Sequence, residues 1–174
     1  MFDPSVYENL KVVIEGEIYD RDLEGEIAII DRQDQVNLAT MSRTYSITFQ
    51  PLKSSHLYHA TVKLEAAPGD LYGEILEIDE GFGCTLLLII NGPINDVTKI
   101  PPLIQEKLEI LWDKRPTINQ QIYFDWTKEI KTTYYSKTTL YFDRKINEEH
   151  ISDFSEIISL LIDSLEVVEE INQT

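Results

Sequence analysis

The stretch DRDLEGEIAIID, Asp20 to Asp31, spaces oxygen-bearing side chains as a calcium loop does. Asp20, Asp22 and Glu24 take the first, third and fifth places, Gly25 the sixth and Asp31 the last, and a hard divalent cation needs oxygens so arranged. The closing residue is Asp, too short for the usual bidentate reach, and the chain holds no second such loop. The expected structure is instead a β-hairpin turning at Arg21 to Gly25, with glycine in a left-handed position, and no metal. His56 and His59 are three residues apart, so a strand would send them to opposite faces, where they cannot share an ion. His150 stands near an expected helix start without an evident partner. GFGC, residues 81–84, lacks the lysine and following helix of a phosphate loop, and Ser42, Ser54 and Ser55 lack a nucleophile elbow. No catalytic constellation emerges, so the expectation is a protein without enzymatic activity and without cofactor.

Composition narrows the classes of partner. With 15 basic and 31 acidic residues in 174, the net charge is −16, which argues against direct contact with nucleic acid or an anionic membrane. Cys84 is the one cysteine, which rules out an internal disulfide, and its setting in GCTLLLII suits a small buried hydrophobe. The start, MFDPSVYENLKVVIEGE, lacks the basic and apolar segments of a secretory signal, and the apolar run Leu86 to Ile90 is too short to span a bilayer. A cytoplasmic location is expected.

The elements that must position any site read as α+β within one domain, residues 1–174. Asp3-Pro4 suits a helix start. KVVIEGEIY alternates with Val12, Ile14 and Ile18 on one side, the period of a half-buried strand. EIAIID (26–31), TYSITFQ (44–50) and LYHATVKLEA (57–66) extend the pattern, the last with Tyr58, Ala60, Val62 and Leu64 inward. Residues 70–78 suit either a helix or another strand, and strand is preferred. CTLLLII (84–90), apolar on both sides, should be a central strand covered on both faces. PLIQEKLEILWDK then spaces its apolar residues for a helix over 102–114. QQIYFDWTKEI and SKTTLYFDRKI read as two antiparallel strands, with inner rows Ile122, Phe124, Trp126 and Thr138, Leu140, Phe142. Both helices should pack on a largely antiparallel sheet.

The last helix, about 147–171, carries a continuous apolar stripe from Ile151 to Val168, with Asn147 as N-cap. Its other face bears Asp153, Glu156, Asp163, Glu166, Glu169 and Glu170, an exposed acidic ridge. Like charges at 149/153 and 166/170 cost about 0.2–0.5 kcal/mol per pair, far less than burying the stripe returns. Residues 147–174 hold eight carboxylates and no Lys or Arg, which is half of the net charge.

Tyr123 and Tyr141, joined by Tyr135, fall on the outer face of their strands, where tyrosine serves either cross-strand packing or a protein interface. LIQEKLEILW, INQQIYFDW and TTLYFDRKINEEHISDFSEIISLLI follow the order helix, two strands, acidic helix. Over residues 102–171 this order and charge resemble the type III secretion chaperone-like fold. The resemblance implies a small acidic protein, commonly a homodimer, that binds a protein partner through apolar patches and catalyses nothing. The leading expectation is therefore a protein-binding module of the chaperone-like adaptor kind, with Tyr123 and Tyr141 in its contact surface. The alternative is an acidic inhibitor that fills the basic nucleic-acid-binding cleft of a partner enzyme, using Asp153, Glu156, Asp163 and Glu166.

Overall fold

Tyr7, Leu10, Ile14 and Ile18 recur at three- and four-residue intervals, and all four are fully buried on one side of a helix. This is α1, Ser5–Leu23, in a computed structural model that describes residues 5–76, 81–128 and 131–174. The strand expected in KVVIEGEIY is thus overturned. Ile14 and Ile18 satisfy both a period of two and a period near four, but Val12, needed inward by the strand, is 60% exposed. The proposed Asp3-Pro4 start lies outside the described residues.

Nor does a hairpin follow. Gly25 closes α1 at φ +77°, and the Gly25 and Glu26 amides donate to the Asp22 and Arg21 carbonyls, a Schellman ending. The glycine has the left-handed conformation expected of it, but it joins a helix to a strand. The chain then runs through β1 (Ile27–Asn37), β2 (Ser42–Pro51), β3 (His59–Ala66) and a short helix α2 (Pro68–Ile75). After these come β4 (Thr85–Ile94), α3 (Ile100–Leu111), β5 (Thr117–Phe124) and β6 (Tyr134–Tyr141). A 3-10 turn at Glu148–Asp153 leads into α4 (Phe154–Gln173).

Of the two readings open for 70–78, the helix holds through Ile75 and the preferred strand does not, while residues 77 and 78 lie outside the described residues. Pro68 opens α2, the Asp70 and Leu71 amides donate to the Ala67 carbonyl, and Leu71 packs on the core. Four strands therefore precede α3 among the described residues, not the five or six that the sequence suggests.

All six strands pair antiparallel in the order β1-β2-β3-β4-β6-β5. The four helices lie on the side that buries Tyr45, Ile47, Phe49, Ala60, Val62, Leu64, Leu86, Leu88, Ile90 and Leu140. Tyr58, Ala60, Val62 and Leu64 point inward as expected. Gly92 on β4 lets the Tyr58 ring approach the strand closely, and the Tyr58 hydroxyl donates to the Pro93 carbonyl at 2.7 Å.

α3 and α4 are tied at depth. The buried Trp112 indole donates to Ser164 Oγ at 2.9 Å, and that hydroxyl donates in turn to the Leu160 carbonyl at 2.6 Å. Asp96 organises the approach to α3, accepting from the Thr98 amide and hydroxyl and from the Lys99 amide. Those bonds, the Thr98 hydroxyl foremost, hold its carboxyl down at about 2. Asn147 caps the turn before α4 as expected, accepting from Glu149 N–H at 3.0 Å. His150 does have a partner, since its Nδ1 accepts from the Asn147 amide at 3.2 Å and completes a capping box.

Candidate functional site, an open sheet face

Because every helix among the described residues sits on one side, the alternate residues of each strand look outward. Ordinarily those positions are polar. On β2 and β3 they are, with Thr44, Ser46, Thr48 and Gln50 beside His59, Thr61, Lys63 and Glu65. On β4 they include Leu87, Ile89 and Pro93, all half-buried. The expectation that this strand is covered on both faces is therefore incorrect. It is central, but its second apolar row is only partly screened by side chains of the flanking strands.

The register assembles this row with its neighbours. Leu87 lies between Lys63 on β3 and Tyr141 on β6, and Tyr141 faces Thr117 on β5. Ile89 lies between Thr61 and Thr139, and Thr61 shares a 2.8 Å hydrogen bond with Thr48. Pro93 faces Tyr135, which faces Tyr123, and the two tyrosine rings stack at 5.6 Å with 24° between their planes. An apolar and aromatic track thus crosses a face of hydroxyls and amides.

Tyr123, Tyr135 and Tyr141 all occupy the open face. Tyr123 and Tyr141 are not neighbours, however: they sit at opposite ends of the β5–β6 pair, about 20 Å apart along the strands at 3.4 Å per residue. Leu87, Ile89 and Pro93, which link the two ends, were not identified from sequence as surface residues. Strict alternation along β4 is the signal that could have found them.

The inner row expected on β5 is corrected too. Ile118 packs against the core, but Ile122 and Phe124 are 37% and 49% exposed, and Trp126 beyond the strand is 78% exposed. They lie past the part of β5 that α3 covers, where Gln120 donates to the Pro101 carbonyl at 2.9 Å. Phe124 meets Tyr134 edge-on at 5.4 Å, so this end of the β5–β6 pair is aromatic on both faces.

The acidic residues of α4 lie on the other side of the sheet and divide between two clefts. Asp153 and Glu156 line one of about 520 Å³ with Trp112, Arg115, Phe142 and Arg144, and Glu156 pairs with Arg115 at 3.2 Å. Glu166 lines another of about 910 Å³, between the α1–β1 turn and the end of α4. Asp163 is exposed between them. Glu169 departs from the expected ridge: it is only 8% exposed and accepts from the Ser55 amide at 3.0 Å. The ridge is therefore interrupted by one ion pair and one buried carboxylate.

The residues of the rejected calcium loop are dispersed. Asp22 accepts from the Ile29 amide at 3.2 Å, and Asp31, beside a bulge in β1, accepts from Gln33 at 2.9 Å. Among the described residues no three His, Cys, Asp or Glu side chains converge as metal ligands would. His56 precedes β3 in a left-handed conformation, while His59 lies half-buried on the open face, and burial lowers its pKa from the usual histidine value.

The densest charge cluster joins α1 to the β1–β2 edge. Lys11 reaches Glu8 at 2.7 Å and Asp34 at 2.8 Å, and Arg43 reaches Glu8 at 2.6 Å while lying 4.6 Å from the centre of the Tyr7 ring. Burial alone would raise the Glu8 and Asp34 carboxyls, but hydrogen bonds from Lys11 and Arg43 bring both below their ordinary values. Two cations matched to two anions make this a neutral clasp between helix and sheet. Comparisons with protein-family models, with curated proteins and with solved structures find no match to this chain.

Proposed function

We propose that this protein is a non-enzymatic protein-binding module, of the chaperone-like adaptor kind, that receives an apolar partner surface on the open face of its sheet. The observation that carries the reading is the coincidence of apolar character and charge balance there. Leu87, Ile89, Pro93, Tyr123, Tyr135 and Tyr141 thread a face whose charged strand residues are Asp31, Lys63, Glu65 and Lys137, two of each sign. In a chain of net charge −16 such a surface is set apart from its surroundings. Tyrosine and apolar side chains, with charge matched or absent, are what the buried centre of a protein interface requires.

The test is capture from a lysate of the protein's own host, after nuclease treatment, with washes at low and high salt. A partner held by apolar contact survives high salt and is lost on Leu87→Lys or Ile89→Lys. Retention by both lysine variants, with their folds intact, overturns the reading.

A second reading, an acidic inhibitor of a basic nucleic-acid-binding enzyme, is favoured by one feature. The 910 Å³ cleft brings Glu24, Glu26, Glu166, Glu169 and Glu170 around only Arg21 and Lys53. Its partner would dissociate steeply with salt and be lost on reversing Asp163 and Glu166. The same capture distinguishes the two.

A further inference from the structure

The two outer strands of the sheet are built differently. β1 carries Asp31, Arg32 and Asp34 and is interrupted by a bulge between Ile29 and Asp31. Charge and bulge are the usual means of keeping an edge from pairing with another chain. β5 has neither. Its sequence, TINQQIYF, contains no charged residue, proline or glycine, its pairing to β6 runs without a register shift, and among the described residues no strand covers its outer edge.

The pattern of β5 also reads alike in both directions. From Ile118 to Ile122 it runs Ile, Asn, Gln, Gln, Ile, centred on Gln120. We propose that β5 is the self-association edge of this protein, and that a second copy pairs its own β5 antiparallel across a two-fold axis at Gln120. An isologous contact needs a surface complementary to itself, and this strand is. Ile118 then lies opposite Ile122 of the second copy, Asn119 opposite its Gln121, and Thr117 opposite its Tyr123. Each pair falls on a single face, so the two sheets continue as one with their helices on the same side.

Charge and exposed apolar surface agree with this occupant. Two chains of net charge −16 repel, so a contact must avoid opposed carboxylates, and an uncharged strand does so. Ile122, Tyr123, Phe124, Trp126 and Tyr134 leave 36–78% of their surface exposed. Ile122, Tyr123 and Phe124 lie on β5 itself, so pairing of the edge brings these apolar side chains beside the second copy. The contact is the outer edge of β5, and of the apolar track on the open face only Tyr123 lies on that strand, so the two surfaces adjoin there.

The experiment is mass measurement by sedimentation equilibrium across a concentration series, on wild type and on Asn119→Lys, Ile122→Lys and Val36→Lys. The first two place a charge on the β5 edge, and the third charges the β1 edge as a control. A wild-type dimer is expected, with at least a tenfold weaker association in both β5 variants and none of that loss in Val36→Lys. Circular dichroism confirms that each variant remains folded. Asn119→Cys combined with Gln121→Cys should oxidise to a covalent dimer, since those positions oppose each other across the axis. A monomeric wild type, a dimer indifferent to both β5 substitutions, or a dimer that the cysteine pair fails to cross-link overturns the proposal.

Discussion

Ile89 and Ile90 are neighbours in one strand with opposite fates, and replacing each separately by threonine measures how open the second face is. Ile90 is buried between Ala60 and Thr138 under the helices. Threonine there removes apolar volume, at about 0.5–1.5 kcal/mol, and buries a hydroxyl, at about 1–3 kcal/mol, so Ile90→Thr should cost about 2–4 kcal/mol. Ile89 looks outward between Thr61 and Thr139. Threonine at that position keeps a β-branched side chain, adds a hydroxyl to the row of Thr48, Thr61 and Thr139 and lets it reach water. Only partial apolar burial is lost, so Ile89→Thr should cost about 0.5–1 kcal/mol. Urea unfolding followed by the fluorescence of the buried Trp112 gives both values, with an unchanged slope as the check on two-state behaviour. Equal losses at the two positions would mean that something covers both faces of β4, and the docking reading would lose its basis.

Other consequences concern stability. Gly92→Ala puts a Cβ 1.9 Å from Tyr58 Cδ1, so it should destabilise by about 1–3 kcal/mol in thermal unfolding, and combining it with Tyr58→Ala should cost less than the sum. Ser164→Ala leaves the buried Trp112 indole N–H without its partner and should cost about 1–3 kcal/mol in urea unfolding, while Trp112→Phe in that background adds less than it does alone. His59 has a folded-state pKa below its ordinary value of 6.5 because burial disfavours the imidazolium. The unfolded chain therefore takes the proton first as pH falls. Its stabilising contribution is complete above 6.5 and is lost as pH drops through the folded-state value, so His59→Asn should flatten the stability–pH curve in that window.

The elements legible in the sequence were those whose pattern admits one period. Leu103 to Trp112 and Ile151 to Val168 repeat at helical intervals over several turns, and α3 and α4 follow. From Tyr58 on, LYHATVKLEA alternates without exception, and β3 follows with the same residues buried. Asn147 is a cap by residue type alone. The failures share a cause. In α1, Ile14 and Ile18 fit two periods at once, and only contact with the sheet shows that Tyr7 and Leu10 complete the helical set. In α2, Pro68 starts a helix too short for its period to declare itself.

Coverage, by contrast, was decided by tertiary structure. The apolar run of β4 specifies a central strand, but whether a second layer lies over Leu87 and Ile89 depends on where the helices pack, and they pack together on one side. The same holds for Ile122 and Phe124, which alternate as inner residues should but extend beyond the helix that would cover them. The acidity of the last helix is written in its residue types. That Glu169 is buried against Ser55 while Glu156 pairs with Arg115 is not, because those partners come from distant parts of the chain. A sequence determines which side chains share a face through local periodicity. Only the packing of whole elements decides which of those faces are left to meet a partner.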